Sequence, residues 1–91
     1  MFVIVTYDIT DDVRRLKVAT KLKDYGERVQ YSVFECILDD RMLQSLIHEV
    51  TPLIEPEEDS LRLYRLCEGC RKVISVYGRG VVTEDKEVFI V

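Results

Sequence analysis

Asp8 is the residue in this sequence best placed to do chemistry. It ends the apolar run Phe2-Val3-Ile4-Val5-Thr6-Tyr7. A carboxylate at the tip of a buried strand stands on a rigid base, where a metal ligand is well held. Mg²⁺ takes six oxygens in an octahedron and is usually held by one or two carboxylates plus waters and phosphates. One Asp is therefore a weak site alone. A two-fold axis that places a second Asp8 opposite the first makes a clamp, since two close carboxylates ionise cheaply only with a cation between them. The alternative for Asp8 is structural: it caps the following helix or pairs with Arg15.

Cationic side chains follow within ten residues. Six of the thirteen Lys and Arg residues lie between positions 14 and 28: Arg14, Arg15, Lys17, Lys21, Lys23 and Arg28. On a helical wheel Arg14, Lys17 and Lys21 share a narrow arc without i,i+4 Glu partners, which favours phosphate contact over a merely solvated face. Arg15 projects into the arc of Val18, Ala19, Leu22 and Tyr25, so it is expected to reach back toward Asp8 or a dimer seam. The net charge of −4 argues against nucleic acid only if the charge is spread evenly. It is not: the acidic residues Glu55, Glu57, Glu58 and Asp59 lie later in the chain.

The elements that must position these groups are legible in part. The first strand spans Phe2 to Tyr7 and is apolar on both faces, as a central strand is. A helix is expected from about Asp12 to Tyr25, capped by Thr10 or Asp11 and stopped at Gly26. Two short strands follow, Arg28–Tyr31 and Val33–Leu38, with a reversal near Ser32. A second helix starts after Asp39-Asp40, with Leu43, Leu46, Ile47, Val50, Leu53 and Ile54 on one stripe. Pro52 ends or kinks it near Thr51. Leu61–Leu66, Val73–Tyr77 and Val88–Val91 read as further strands. The order βαββαβ is that of the ferredoxin-like plait, an α+β fold. Residues 1–78 are assigned to that domain and 79–91 to an extension strand that pairs with a partner or dimer mate. Both helices of a plait cover one sheet face, so the other face is expected to meet a second copy in a homodimer.

Other chemistries are less well supported. Tyr31 and Val33 are expected in the β-core, while Phe34 or Ser32 is a candidate to share the face of Asp8. Cys67-Glu68-Gly69-Cys70 is a CxxC, but only Cys36 and His48 are left to complete a four-ligand zinc site. A redox CxxC would open a helix after a βα unit, which is not the context here, so two buried or half-buried thiols near a turn, with an occasional disulfide, are expected instead. His48 is expected on the surface. No P-loop, Gly-rich fingerprint or Ser-His-Asp arrangement is present. The hydrophobic content of 47% suits a small globular domain. No apolar run approaches the ~18 residues of a membrane span, and the first strand lacks the basic flank of a signal peptide. Three cysteines argue against a secreted disulfide scaffold, so a cytoplasmic location is expected.

Four segments in order, Tyr7-Asp8-Ile9-Thr10-Asp11-Asp12, Arg14-Arg15, Gln30-Tyr31-Ser32-Val33-Phe34-Glu35 and Pro56-Glu57-Glu58-Asp59-Ser60-Leu61-Arg62-Leu63-Tyr64, resemble the CRISPR-associated Cas2 family. The Cys67–Cys70 pair resembles one branch of it. The resemblance implies a ferredoxin-like homodimer with Asp8 shared across the axis, binding Mg²⁺ for endonuclease action on RNA or DNA. It implies a part in spacer acquisition, with the dimer bridging Cas1 integrase copies. It implies nucleic-acid contacts from Arg14, Arg15, Lys17 and Arg28, with Phe34 near the active centre. The segment Val88–Val91 resembles one that adds to a neighbouring sheet. Three functions fit these residues: a metal-dependent endonuclease, a non-catalytic DNA-binding adaptor with a vestigial metal site, and a metabolite-binding regulatory plait, against which the lack of phosphate-cradling glycines counts.

Overall fold

In the computed structural model, residues 1–84 are described. Strand β1 (Phe2–Asp8) leads to helix α1 (Asp12–Leu22), the hairpin β2 (Gly26–Gln30) and β3 (Val33–Ile37), helix α2 (Asp40–Val50), a 3₁₀ turn (Thr51–Leu53), strand β4 (Ser60–Leu66) and the short helix α3 (Glu68–Lys72). The sheet order is β2-β3-β1-β4, with every pairing antiparallel. This is the expected βαββαβ plait, an α+β fold.

Period-2 alternation divides β1 between two faces. Val3, Val5 and Tyr7 point into the core with Phe34 and Cys36 of β3. They pack against Val18, Ala19 and Leu22 of α1 and Leu43, Leu46 and Val50 of α2. Full burial of each such leucine or phenylalanine contributes roughly 1.5–3 kcal/mol. The expected α2 stripe is completed by Ile47, Leu53 and Ile54, half-buried against the same core. Asp39 caps α2 by accepting the Met42 amide at 2.8 Å. The chain tightens into the 3₁₀ turn at Pro52, whose missing N–H cannot continue the α ladder.

The opposite sheet face carries Ile4, Thr6 and Asp8 of β1, Val33 and Glu35 of β3, and Ser60, Arg62 and Tyr64 of β4, as the registers Ile4↔Glu35, Ile4↔Tyr64, Thr6↔Val33 and Asp8↔Ser60 require. Neither α1 nor α2 covers it. Phe2, on the same face, is buried beneath α3, with the Arg71 guanidinium 5.4 Å from its ring centre.

Three local expectations are corrected. Helix α1 stops at Leu22, and its cap Lys23 is right-handed. Gly26 has no positive φ. It is needed for close approach instead: a Cβ there would lie 2.4 Å from both Cys36 Sγ and the Glu35 carbonyl oxygen. Val73–Tyr77 is not a strand among the described residues; the chain forms α3 and then continues irregularly. Cys67 starts that helical turn by accepting the Cys70 amide. Gly78 and Gly80, at φ +93° and +112°, then turn the chain, so that the Thr83 amide reaches Glu35 Oε1 at 3.0 Å. The expected strand Val88–Val91 lies outside the described residues. Among the described residues no helix is long and apolar enough to cross a membrane.

Candidate nucleic-acid and metal site

Asp8, the β1–α1 loop, the β2–β3 turn and the start of β4 meet at one end of the sheet. Asp8 is exposed there, opposite Ser60 in the β1–β4 register. Its carboxylate has no hydrogen bond or ion pair among the described residues. It neither caps α1 nor pairs with Arg15: Asp11 is the cap, accepting the Arg14 amide at 2.9 Å. Among the described residues no group of three or more His, Cys, Asp or Glu side chains converges as a metal site. One chain therefore offers no protein cage for a metal among these residues; Asp8 is a carboxylate of the kind that holds Mg²⁺ together with waters and substrate phosphates.

Around the edge from Asp8, on the helix side, lies a cationic and aromatic cluster. Tyr31 is 69% exposed at the tip of the β2–β3 turn. Arg15 and Arg28 sit 5.8 and 5.6 Å from its ring centre, within the range where a guanidinium is held by a π face. Arg15 reaches back as expected, but to the backbone beyond Asp8: Nη1 donates to the Ile9 carbonyl at 3.0 Å and the Thr10 carbonyl at 3.3 Å, and Nη2 donates to Asp12. The Asp12 contact raises the Arg15 pKa further above its already high ordinary value. Arg28 donates from Nε and Nη2 to the Tyr31 carbonyl, at 3.0 and 2.6 Å. The Tyr7 hydroxyl donates to the same carbonyl at 3.3 Å, and the Tyr7 amide donates to the Ser32 carbonyl at 3.2 Å. These bonds hold a two-residue turn that has no Gly or Pro to shape it. Arg15, Arg28, Tyr31, Lys23 and Asp12 line a concavity of about 270 Å³.

Several sequence-derived assignments change. Phe34 does not share the face of Asp8. It is fully buried, paired in register with core-facing Val5, and stacks beneath Arg28 at 5.8 Å and beside Tyr7 at 6.3 Å. It is a floor for Arg28, not a surface for a ligand. Tyr31, expected in the core, is exposed. The arc on α1 is not free of acidic partners. Arg14 donates from Nε and Nη2 to Asp59 at 2.8 and 3.1 Å, and from Nη2 to Glu58 at 3.1 Å. Lys21 lies 3.6 Å from Glu49 and 3.7 Å from Asp24. Lys17 is exposed, with no ion pair among the described residues.

Asp59 was missed by sequence reasoning. Its side chain is 0% exposed, and it also accepts the Glu55 amide at 2.8 Å. The Arg14 guanidinium holds its carboxyl below the usual carboxylate range, helped by that amide. The acidic loop Glu55–Asp59, set against a basic helix, is the signal that could have found it. This pair fixes the chain one residue before Ser60, and so helps set β4 against Asp8.

Comparison with known proteins agrees with this architecture. The profile "CRISPR associated protein Cas2" matches residues 1–74. The chain is 45% identical over 91 residues to "CRISPR-associated endoribonuclease Cas2 3" of Chloroflexus aurantiacus, covering 100% of this chain and 98% of that protein. It is 46% identical over 84 residues to "CRISPR-associated endonuclease Cas2 2" of Thermus thermophilus, covering 92% and 89%. Among solved structures, a hypothetical protein TT1823 from Thermus thermophilus superposes with a TM-score of 0.80 at 44% identity, covering 91% of this chain and 96% of that one. A chain of a "Partial Cas6-RT-Cas1--Cas2 complex" superposes with a TM-score of 0.65 at 30% identity, covering 82% and 88%. A profile match over most of the sequence, full-length relatives and the same fold together place this chain in the CRISPR-associated Cas2 family.

Proposed function

We propose that this chain is a metal-dependent endonuclease of CRISPR adaptation. It works as a homodimer that grips RNA or DNA and bridges Cas1 integrase copies during spacer acquisition. The observation that carries the reading is the exposed, unpaired Asp8 carboxylate at the same sheet end as the Arg15–Tyr31–Arg28 cluster. The relatives' names supply the activity class, and the complex containing Cas1 and Cas2 supplies the partner class.

Asp8 of two subunits would hold Mg²⁺ between them. Such an ion supplies Lewis-acid stabilisation of negative charge on a phosphoryl oxygen. Arg15, Arg28 and Lys17 bind the backbone on either side of the reacting phosphate through charge, without reading sequence. Tyr31 gives an unstacked base a face to lie on. The sheet face that neither α1 nor α2 covers supports the homodimer. So do exposed Val73, Val76, Tyr77 and Val81, apolar surface that a mate or partner would cover. On this reading residues 1–78 are the ferredoxin-like domain, and 79–91 pair with the mate or partner, in the cytoplasm.

The adaptor reading also has an observation in its favour: no cluster of three or more His, Cys, Asp or Glu side chains forms among the described residues, so one chain alone brings no ready-made catalytic metal centre to Asp8. One experiment separates the two. Rigorously purified wild type and Asp8→Asn are assayed side by side on RNA and duplex DNA across a Mg²⁺ titration. The endonuclease reading expects metal-dependent cleavage that falls at least about 100-fold in the variant. No metal-dependent cleavage by wild type, with duplex binding intact, leaves the adaptor.

A further inference from the structure

The Cys67–Cys70 pair plays no part in the site above. Both thiols are exposed, whereas Cys36 is buried. The turn that starts α3 holds the pair together: Cys67 Sγ accepts the Cys70 amide at 3.4 Å, and the Cys67 carbonyl accepts the Arg71 amide at 2.9 Å. Arg71, the next residue, joins three parts of the molecule. It donates to the Thr83 carbonyl at 2.8 Å, pairs with Glu68 at 3.3 Å and lies over the Phe2 ring. The Thr83 amide completes the attachment by donating to Glu35 on the sheet face away from α1 and α2. Two accessible thiols thus sit beside the residue that fastens the chain beyond α3 to the sheet.

We propose that Cys67 and Cys70 form a thiol–disulfide exchange site for small disulfides, and that its closure loosens the attachment of residues 73–84 to the sheet. The Cys67 thiolate attacks one sulfur of a disulfide R–S–S–R, forming a mixed disulfide and releasing one thiolate RS⁻. The Cys70 thiolate then attacks Cys67 Sγ, closing the Cys67–Cys70 bond and releasing the second RS⁻. The protein loses two electrons and two protons; the small disulfide is reduced to two thiols. The order follows the surroundings. The Cys70 amide holds the Cys67 thiol below its ordinary range, and the hydrogen bond to Cys67 pushes Cys70 above its own. Closure removes the sulfur acceptor of the Cys70 amide and redraws the turn carrying Arg71, weakening its grip on Thr83. Cys36 stays out of this chemistry: burial pushes its thiol up to about 11.

The full chain, fully reduced, is equilibrated in glutathione buffers of rising oxidised fraction, quenched in acid and alkylated. Cys67 and Cys70 are expected to lose alkylation together as the intact mass falls by two hydrogens, with Cys36 alkylated only after unfolding. The Thr83 amide is expected to exchange hydrogen faster in the oxidised form. Cys67→Ser and Cys70→Ser should each abolish both changes. The wild-type measurements stand on their own if a variant fails to fold. Thiols that stay reduced in excess oxidised glutathione, bonds formed only between chains, or Thr83 exchange that does not accelerate would each overturn the proposal.

Discussion

Arg14 and Arg15 are neighbours of the same type, yet they serve two regions with different work. Arg14 turns toward β4 and closes on a carboxylate without solvent exposure, Asp59, so its charge is spent on holding the chain. Arg15 turns toward β2 and leaves part of its charge facing a concavity beside exposed Tyr31. A sequence count of basic residues treats them alike. The structure separates the Arg14 lock from the cluster proposed as a grip, and the proper tests are those that move stability and binding independently.

The largest effect is expected at the floor of the grip. Phe34→Ala empties a fully buried ring position and should cost about 3–5 kcal/mol in chemical denaturation. It should also weaken nucleic-acid binding by releasing Arg28. Binding that stays unchanged in the folded variant would show that Arg28 needs no aromatic support.

The lock comes next. Asp59→Asn should lower the unfolding midpoint at neutral pH, by less than Phe34→Ala, with the salt dependence of nucleic-acid binding unchanged. Because the folded carboxyl lies below its usual range, its contribution is complete above the unfolded value of ~3.9. It is lost as the pH falls below that and through the folded value. The wild-type and Asp59→Asn stability curves should therefore converge in acid, below about pH 4. Parallel curves down to full acid unfolding would remove Asp59 from the lock.

Tyr31→Ala should weaken single-strand binding by about 1–3 kcal/mol and leave the folded state almost untouched. Smallest is Lys17→Ala, which should reduce the slope of log affinity against log salt by about one. The same change at Arg15 should match it. Arg14→Ala should differ from both by costing stability, not slope. An equal loss of slope at Arg14 and Arg15 would erase the distinction between lock and grip.

The sequence made the scaffold legible where patterns are local. An apolar run with a polar tip gave β1, and the stripe from Leu43 to Ile54 gave α2 and its 3₁₀ end. What it hid is long-range or a matter of phase. Arg14 meets Asp59 across 45 residues, a separation no helical wheel encodes. Alternation placed Phe34 and Tyr31 on or near a strand. Only pairing with Val5 decides that Phe34 faces the helices. Tyr31 escapes the core because Arg28 and Tyr7 hold a turn there that glycine would ordinarily make. At Val73–Tyr77 the β-branched run misled, because the Cys67 cap commits the preceding residues to a helical turn.

The central claim is that Asp8 is half of a metal site completed by a second copy. The most direct test is the stoichiometry of divalent-ion binding, by calorimetry at protein concentrations that hold the dimer. Wild type should bind one Mg²⁺ or Mn²⁺ for every two chains, and Asp8→Asn dimers of the same size should bind none. One ion per chain, or binding untouched by the substitution, would contradict it.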